Sequence, residues 1–448
     1  MIGMSLGRAA DICGGTLSRG DKAQDQLGHI VIDSRKVRAG DLFVAYAGEK
    51  VDGHDFIKTA LERGAGGCLA QRLPEGVDGP VILVEDVQAA LEKLAAAYRR
   101  ELSIPVVAVT GSVGKTTAKE MTAAVLSSRF VTLRTEGNLN NQIGVPMTLS
   151  RIASEHEAAV VELGINGFGQ MSQLAAMAQP DIALFTTIGH AHLEFLHDLE
   201  GVFQAKTELL DYLSPEGWVV INGDDPWLAK LKSRERCLSC GLSPENDIWA
   251  DEIRLNTQGS TSFCLHYRGR AMELAVPAFG MHLVYAAMEA AAVGFILGLT
   301  DDQIAEGVAS YEVVGRRGAV TVTDKLSLVD DSYNANPDSM REAINSLCLL
   351  PGRHVCILGD MLELGPDEAE LHRQLGQLLR EKAVDLVLCT GELCRNMLPE
   401  LGDTCRHFST KAELIDSLKT YIRPGDQVLV KASRGIGLEE VAEALKKL

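Results

Sequence analysis

The chain has 448 residues, of which 46% are hydrophobic and 23% charged, a composition typical of a globular protein with room for about three domains. Its formal net charge of −18 argues against nucleic acid as a partner, because proteins that bind nucleic acid present a basic face to the phosphates. A small anionic substrate is compatible with this charge, since it needs only a local basic pocket.

The longest apolar run, from Leu283 to Leu299, is interrupted by Glu289 and is rich in alanine and glycine. This pattern is typical of a buried helix and not of a membrane span. No signal peptide is evident. We therefore expect a cytoplasmic enzyme without membrane insertion, with a monomer as the default.

Ten cysteines are scattered along the chain, and Cys237 and Cys240 form the only CxxC pair. A zinc site would need a second pair of ligands at matching spacing, and none stands out. Most of the cysteines lie in apolar runs, so we predict reduced residues of the core.

Residues 1–101 alternate short strands and helices and are predicted to form an N-terminal domain. Ser34, Arg35 and His54 fall in loops at strand ends, where ligands bind in α/β folds. A purely turn-forming role for these residues is the alternative.

A phosphate-binding loop is predicted near the start of a second domain, residues 102–313. An apolar, β-branched run from Ile104 leads into Gly111-Ser-Val-Gly-Lys-Thr-Thr117 and then into a helical segment. Backbone N–H groups of such a loop close around an anion, and the helix N-terminus adds partial positive charge. Lys115 can reach the β- and γ-phosphates of a nucleotide, and the Thr116 hydroxyl can hold Mg²⁺. The loop is shorter than GxxxxGK[ST], because Val109 stands at the position of the first glycine.

Further polar residues of this domain point to a metal and a sugar or phosphate. Glu162 lies inside an apolar run, and a buried carboxylate is costly unless it is paired or bound to a metal. Beside a phosphate loop we favour a metal ligand over a structural ion pair. His190 and His192 follow a strand where a second cation could sit, although one of them could be a hydrogen-bonded loop residue. Polar loop or strand-end amides occur at four positions: Asn138, Asn140, Asn141 and Asn222.

A glycine and arginine turn near Val313 marks the start of a third domain, residues 314–448. Its alternating strands and helices predict a Rossmann-like domain without GxGxxG, whose polar strand-end residues include the Asp331–Asp338 segment. The fold class is therefore α/β with three domains, a central P-loop domain with a parallel sheet and a C-terminal Rossmann-like domain. Residues 247–276 are predicted to form antiparallel hairpins. The residues alone indicate an ATP- and Mg²⁺-dependent transferase or ligase with a large anionic substrate.

The chain also resembles the Mur ligase family over essentially its full length. The most specific segment is Asp330-Asp-Ser-Tyr-Asn-Ala-Asn-Pro337, which is followed by Leu358-Gly-Asp-Met361. The other segments that carry the resemblance are Asp33–Arg35, Gly40–Ala45, Asp52–His54, Thr110–Thr117, Gly137–Asn141, Ile143–Pro146, Ala191–Glu194 and Glu363–Gly365.

The resemblance implies a ligase that joins D-alanyl-D-alanine to UDP-N-acetylmuramoyl-tripeptide through an acyl phosphate. Lys115 and a Mg²⁺ on Thr116 and Glu162 would neutralise charge, and His190 would serve a second Mg²⁺. Lys206 matches a position where related ligases carry a carbamylated lysine, whose carboxylate would bind that second ion.

The resemblance also assigns residues to each ligand. The uridine diphosphate would be bordered by Ser34, Arg35 and His54. The muramoyl-peptide would lie along Asn138, Asn140 and Asn141. The nucleotide would contact Thr110, Gly111, Ser112, Val113, Gly114, Lys115, Thr116, Thr117, Asn222, Arg316, Asp331 and Asn334. The D-alanyl-D-alanine would contact Tyr333 and Asn336.

Several positions depart from the family pattern. Where the family usually has His-Asn-Val-x-Asn, this chain has His282-Leu-Val-Tyr-Ala286. We therefore expect weaker or less selective adenine binding. Further departures occur at Gly167, Gly169, Gln170, Val314 and Ala432.

Three other functions are compatible with parts of the sequence. A sister ligase that adds a single amino acid is disfavoured by the segment Tyr333–Asn336. A folate-type polyglutamylating ligase is disfavoured by the uridine-type N-terminal domain. A nucleotide-binding regulatory protein that has lost the chemistry is conceivable because of the changes at Leu283 and Ala286. The third residue of the peptide, lysine or diaminopimelate, is left open.

Overall fold

A computed structural model describes residues 1, 3–48, 51–256 and 259–448. The N-terminal domain has a small sheet with strands β1 (Thr16–Leu17), β2 (Ile30–Val31), β3 (Leu42–Val44), β4 (Gly67–Ala70) and β5 (Val81–Leu83). Their order is β1-β5-β4-β3-β2, with β1 antiparallel and the others parallel. Its helices are α1 (Leu6–Cys13), α2 (Ile57–Glu62) and α3 (Val87–Arg100).

The central domain is built on a nine-stranded sheet. Its strands are β6 (Val106–Thr110), β7 (Thr132–Arg134), β8 (Ala158–Glu162), β9 (Ile182–Phe185), β10 (Trp218–Asn222), β11 (Cys237–Gly241), β12 (Ile248–Leu255), β13 (Thr261–Tyr267) and β14 (Arg270–Val276). The order is β14-β13-β12-β11-β10-β9-β6-β8-β7, and β7 to β12 run parallel with β6. Strand β13 pairs antiparallel with both β12 and β14, which confirms the predicted hairpins.

The helices of this domain cover both faces of the sheet. They are α4 (Lys115–Ser127), α5 (Gly144–Ser150), α6 (Gln170–Ala178), α7 (Leu193–Leu196), α8 (Leu199–Thr207), α9 (Met281–Ile296) and α10 (Asp301–Ala309). Helix α9 contains most of the longest apolar run and packs on α4 and on the hairpin strands. Its side chains from Ala286 to Gly294 are buried, which confirms the prediction of a core helix. No helix in the described part of the chain is long and apolar enough to span a bilayer.

The C-terminal domain has a six-stranded sheet of β15 (Ala319–Val322), β16 (Leu326–Asp330), β17 (His354–Gly359), β18 (Leu386–Thr390), β19 (Cys405–Phe408) and β20 (Asp426–Lys431). The order is β15-β16-β20-β17-β18-β19, and every strand except β15 is parallel to its neighbours. Its helices are α11 (Pro337–Leu347), α12 (Glu368–Glu381), α13 (Leu398–Leu401), α14 (Lys411–Tyr421) and α15 (Glu439–Leu445).

The N-terminal and central domains share one continuous apolar core. Helix α3 packs against α5 and α6, and buried side chains run from Met4 through Leu94 to Leu174 without interruption. The Tyr98 hydroxyl donates to the carbonyl of Ile152, and the Ile30 amide donates to Ser150 Oγ at 3.0 Å. These two domains are therefore packed as one body.

Arg99 ties this junction together, and its loss is expected to destabilise the fold. The side chain is buried, donates from Nε to the Ala178 carbonyl at 2.9 Å, and reaches Asp181 Oδ2 at 2.8 Å. Arg99→Ala leaves those acceptors without their donor, so we expect a loss of about 3 kcal/mol in unfolding free energy. Urea unfolding measures it, with the exposed neighbour Arg100→Ala as control. Equal effects of the two substitutions would contradict this role.

Candidate active site

The phosphate-binding loop joins the end of strand β6 to the start of helix α4, as the pattern of the sequence predicts. Strand β6 ends at Thr110, and α4 begins at Lys115 after Gly114, whose φ is 83°. The segment that follows β9 supports the loop, because the Ser112 amide donates to the Thr187 carbonyl at 2.8 Å. A Cβ on Gly111 would lie 2.0 Å from Thr186 Oγ1, so this position requires glycine.

Lys115 lies within the loop. Its Nζ donates to the Gly111 carbonyl at 2.7 Å and to the Ser112 carbonyl at 3.3 Å. Burial lowers the pKa of the Lys115 amine; the Glu162 carboxylate opposes this shift, and the Arg317 cation adds to it. The amine is therefore held where a nucleotide's phosphates would lie against the loop.

Glu162 is at the end of β8, directly beside the phosphate loop. Its Oε2 accepts from Thr116 Oγ1 at 3.0 Å, and its Oε1 accepts from Asn140 Nδ2 at 2.8 Å. The side chain is buried, and Lys119 Nζ lies 3.8 Å from Oε2. Hydroxyl and carboxylate oxygens in contact are the donor set that Mg²⁺ prefers, so this pair fits the predicted ion.

Lys119 is a member of this network that the sequence did not single out. Its amine is fully buried, donates to the Thr135 carbonyl at 2.8 Å and pairs with Glu120 at 2.8 Å. A lysine one turn after the loop lysine on α4 is the signal that could have found it. Its charge compensates the Glu162 carboxylate.

Lys206 is a buried amine near the end of α8. We find no hydrogen bond or ion pair to it among the described residues. Burial lowers its pKa well below the usual lysine value, and the charge of Lys115 adds to this effect. This shift favours the neutral amine, which is the form that reacts with carbon dioxide.

The two predicted histidines both contact the C-terminal domain. His190 Nδ1 lies 3.1 Å from Asp338 Oδ2, and this hydrogen bond raises the pKa of His190. His192 Nδ1 lies 3.1 Å from Glu363 Oε2, but burial and the charges of Lys115 and Lys206 lower its pKa. The predicted metal-binding role of His190 thus has to use Nε2, because Nδ1 is engaged by Asp338.

The central and C-terminal domains enclose a cleft of about 540 Å³. It is lined on one side by the phosphate loop and on the other by the segment Asp331–Asn336 and helix α11. Sequence-predicted residues that line it are Ser112, Val113, Gly114, Lys115, Thr116, Thr117, Asn138, Asn140, Asn141, Glu162, His192, Asp331, Tyr333, Asn334 and Asn336.

Three cationic side chains contact the segment that forms the C-terminal wall of the cleft. Lys431 pairs with Asp331 and donates to the Asn334 carbonyl at 3.0 Å. The guanidinium groups of Arg317 and Arg434 both stack on the ring of Tyr333. Their Cζ atoms lie 3.9 Å and 4.7 Å from the ring centroid, respectively. Arg317 lines the cleft, and we find no carboxylate partner for it among the described residues.

The sequence singled out Arg316, whereas the structure brings its neighbour to the cleft. Arg316 donates to Asp330 Oδ2 at 2.6 Å and to Glu443 Oε1 at 2.8 Å, so it braces the domain. Arg317 carries the cation that faces the phosphate loop. Adjacent arginines in a turn offer no periodicity from which their directions could be predicted.

Other predicted residues lie outside the cleft lining. Thr110 is fully buried and donates to the Leu163 carbonyl at 3.0 Å. Asn222 Oδ1 accepts from the Asp224 amide at 3.0 Å and shapes the turn after β10. Leu283 and Ala286 are buried in the core of the central domain. The expected weakening of adenine binding stays a prediction.

The uridine-side residues lie on the N-terminal domain, away from the cleft lining. His54 is buried, with Nδ1 at 2.6 Å from Asp52 and Nε2 accepting from the Gln71 amide at 3.1 Å. Arg35 is 87% exposed at its side chain and pairs with Asp33, whereas Ser34 is buried. Their contact with a substrate stays a prediction.

Comparison with known proteins decides the family. The Mur ligase catalytic domain model matches residues 26–99, the Mur ligase middle domain model matches 109–294, and the Mur ligase glutamate ligase domain model matches 315–434. The UDP-N-acetylmuramoyl-tripeptide–D-alanyl-D-alanine ligase of Escherichia coli (strain K12) is 37% identical, over 100% of this chain and 99% of that protein. The chain belongs to the Mur ligase family.

Further relatives are similar in sequence or structure to this Mur ligase over nearly its whole length. The ligase of the same name from Bacillus subtilis (strain 168) is 35% identical over 99% of each chain. Crystal structure I of MurF from Acinetobacter baumannii superposes with a TM-score of 0.90 at 31% identity, covering 99% of both chains. The MurF ligase of Thermotoga maritima in complex with ADP gives 0.85 at 30% identity, over 94% of this chain and 97% of that one. The three-domain α/β architecture is that of the family.

Proposed function

We propose that this Mur ligase joins D-alanyl-D-alanine to UDP-N-acetylmuramoyl-tripeptide, at the expense of ATP, and so makes the pentapeptide precursor of peptidoglycan. The observation that carries the proposal is the cleft itself. It places the phosphate loop and Glu162 opposite the segment Asp331–Asn336, in a chain that matches ligases of this name over its full length.

The reaction needs two displacements in one enclosed site. A carboxylate oxygen of the tripeptide attacks the γ-phosphorus of ATP, and ADP leaves. The amine of D-alanyl-D-alanine then attacks the carbonyl carbon of the acyl phosphate, loses a proton, and phosphate leaves as the amide forms. Both steps concentrate negative charge on phosphate oxygens, which favours preorganised cations around them.

Residues of two domains supply cations and hydrogen-bond donors to the cleft. Lys115 and the amides of the loop would hold the phosphates, and Arg317 would approach them from the C-terminal side. Asn138, Asn140 and Asn141 would lie along the muramoyl-peptide. Tyr333 and Asn336 are proposed to orient the dipeptide.

Magnesium is proposed at Thr116 and Glu162, where hydroxyl and carboxylate oxygens already meet at 3.0 Å. A bound Mg²⁺ there supplies charge neutralisation for the phosphates. A second ion would use His190 and a carbamate on Lys206, since the unmodified amine is a poor ligand for this cation. The uridine diphosphate is assigned to Ser34, Arg35 and His54 of the N-terminal domain.

We further propose that the enzyme works in the cytoplasm, where ATP and nucleotide-linked precursors are made, and as a monomer. The net charge of −18 favours small-molecule partners over nucleic acid.

Phosphate release from ATP by the purified protein, with Mg²⁺ and UDP-N-acetylmuramoyl-tripeptide present, tests the proposal. We expect release that depends on D-alanyl-D-alanine and is much slower with D-alanine alone. Faster release with a single amino acid would favour the sister ligase. ATP binding without release, with any amine, would favour the regulatory protein. The lysine and diaminopimelate forms of the tripeptide, compared side by side, identify the third residue.

A further inference from the structure

The antiparallel edge of the central sheet carries metal-ligating side chains that the proposed reaction does not use. Along β13, buried side chains such as Leu265 alternate with partly exposed ones, so Cys264 and His266 lie together on the opposite face. Asp251 of β12 is the cross-strand partner of Cys264. We call Asp251, Cys264 and His266 the hairpin group. One sulfur, one ring nitrogen and one carboxylate oxygen of this group lie within 4.8 Å of one another. No CxxC spacing marks the group, because its donors come from two strands.

The donor atoms of the hairpin group fit one zinc ion. His266 Nε2 lies 2.9 Å from Asp251 Oδ1, so an ion can take the place of the proton between them. Zinc bonds of about 2.0–2.3 Å at tetrahedral angles put neighbouring donor atoms about 3.3–3.6 Å apart, which small side-chain rotations can reach. A thiolate and an imidazole favour zinc over Mg²⁺ and Ca²⁺, which prefer oxygen ligands.

Neighbouring side chains orient the group and leave it open to solvent. The indole of Trp249 stacks on the ring of His266, with centroids 3.8 Å apart and planes inclined by 9°, which fixes the direction of the imidazole. Glu273 of β14 is the partner of Cys264 on its other side and adds negative charge. The side chains of His266 and Asp251 are 24% and 47% exposed, so an ion can enter from solvent.

A second group of metal-ligating side chains lies in the C-terminal domain, but it is less suited to an ion. Asp360, His372 and Cys394 are all buried. The Nε2 atom of His372 accepts from the Met361 amide at 3.0 Å, and its Nδ1 lies 2.6 Å from the Glu368 carbonyl. An ion would have to displace one of these hydrogen bonds to the backbone. In the hairpin group, by contrast, the hydrogen bond joins two of the ligands themselves.

We propose that Asp251, Cys264 and His266 bind one Zn²⁺ ion, with water in the fourth position, and that this ion links β12 to β13. As the bond between sulfur and zinc forms, the Cys264 thiol gives its proton to solvent. None of the three residues lines the cleft, so this site is separate from the Mg²⁺ proposed at Thr116 and Glu162 and does not depend on the proposed function.

Titration of the metal-free full chain with Co²⁺ tests the site, because a bond between thiolate and cobalt gives a charge-transfer absorption. Excess Mg²⁺ is present to occupy the oxygen ligands of Thr116 and Glu162. We expect an absorption that saturates at one equivalent of Co²⁺ and disappears when Zn²⁺ displaces it. Cys264→Ser should abolish the absorption. Asp251→Asn and His266→Phe should each weaken Zn²⁺ binding, measured in competition with a chelator, by about tenfold or more.

These variants remove a ligand and preserve the packing of the hairpin. His266→Phe keeps an aromatic ring in the stack, and Asp251→Asn keeps the size of the side chain. Cys348→Ser is the matched control, because Cys348 is also partly exposed and belongs to neither group of metal-ligating side chains. The absence of a thiolate–cobalt absorption in the unmodified chain would overturn the proposal. An absorption kept in Cys264→Ser and lost in Cys394→Ser would also overturn it, because the ion would then lie in the C-terminal domain.

Discussion

Lys115→Met is expected to lower kcat/KM for dipeptide-dependent phosphate release by about a thousandfold or more. The amine is held by the carbonyls of Gly111 and Ser112 at the mouth of the phosphate loop. Removing a preorganised cation from a phosphoryl-transfer site typically costs several kcal/mol of transition-state stabilisation. Methionine keeps the length and apolar stem of the side chain, so the loop should fold and only the charge is lost.

A coupled phosphate assay at saturating substrates measures this effect, and displacement of a fluorescent nucleotide reports binding separately. The control is Lys419→Met on α14, which removes an exposed lysine far along the chain. A Lys115→Met enzyme within tenfold of the unmodified rate would contradict a role for this residue at the phosphates.

Lys206→Met is the second substitution with a large expected effect, a loss of at least about a hundredfold in kcat. The lysine is buried, without a partner among the described residues, and its pKa is lowered well below the usual value by burial and by the charge of Lys115. A neutral amine attacks carbon dioxide and, after losing a proton, becomes a carbamate. The loss of that carboxylate would remove a ligand for a second Mg²⁺ and explain the effect.

Two measurements separate a carbamate from a merely structural lysine. Carbon-13 NMR with labelled bicarbonate should show a carbamate signal that the Lys206→Met variant lacks. Formate or acetate, small enough to bring a carboxylate into the space, should restore part of the activity of Lys206→Ala. A native mass without the adduct, together with full activity in buffer freed of carbon dioxide, would rule the carbamate out.

Much of the fold could be predicted because its signals are local. The apolar run before Gly111 and the helix after it fix the strand, loop and helix at the phosphate site, and the runs around Val161 and Leu184 mark the neighbouring strands. Strands β15 and β19 are among those that were not predicted. They are edge strands of four residues, and an edge strand buries fewer side chains and carries a weaker hydrophobic pattern.

The contacts of the candidate site could be predicted where they lie within one domain. Contacts between the central and C-terminal domains could not. Glu162 beside Thr116 follows from adjacent strand ends in a parallel sheet. The pairing of His190 with Asp338 joins residues 148 positions apart, and no local pattern encodes it. The choice between Arg316 and Arg317 depended on how a turn directs its side chains, which composition does not determine.

The difference between the two domain junctions has a consequence for turnover. The first junction is a continuous apolar core, whereas the second has three histidine–carboxylate pairs, those of His190, His192 and His282, and apolar contacts of Phe279 and Leu255 with the C-terminal core. Partly exposed pairs of this kind contribute at most about 1 kcal/mol each. We therefore expect the C-terminal domain to move away from the other two at a lower energetic cost than that of separating the other two from each other. We also expect one lobe to open for the release of ADP and the finished pentapeptide, while the two domains to which the uridine nucleotide is assigned stay assembled between catalytic cycles.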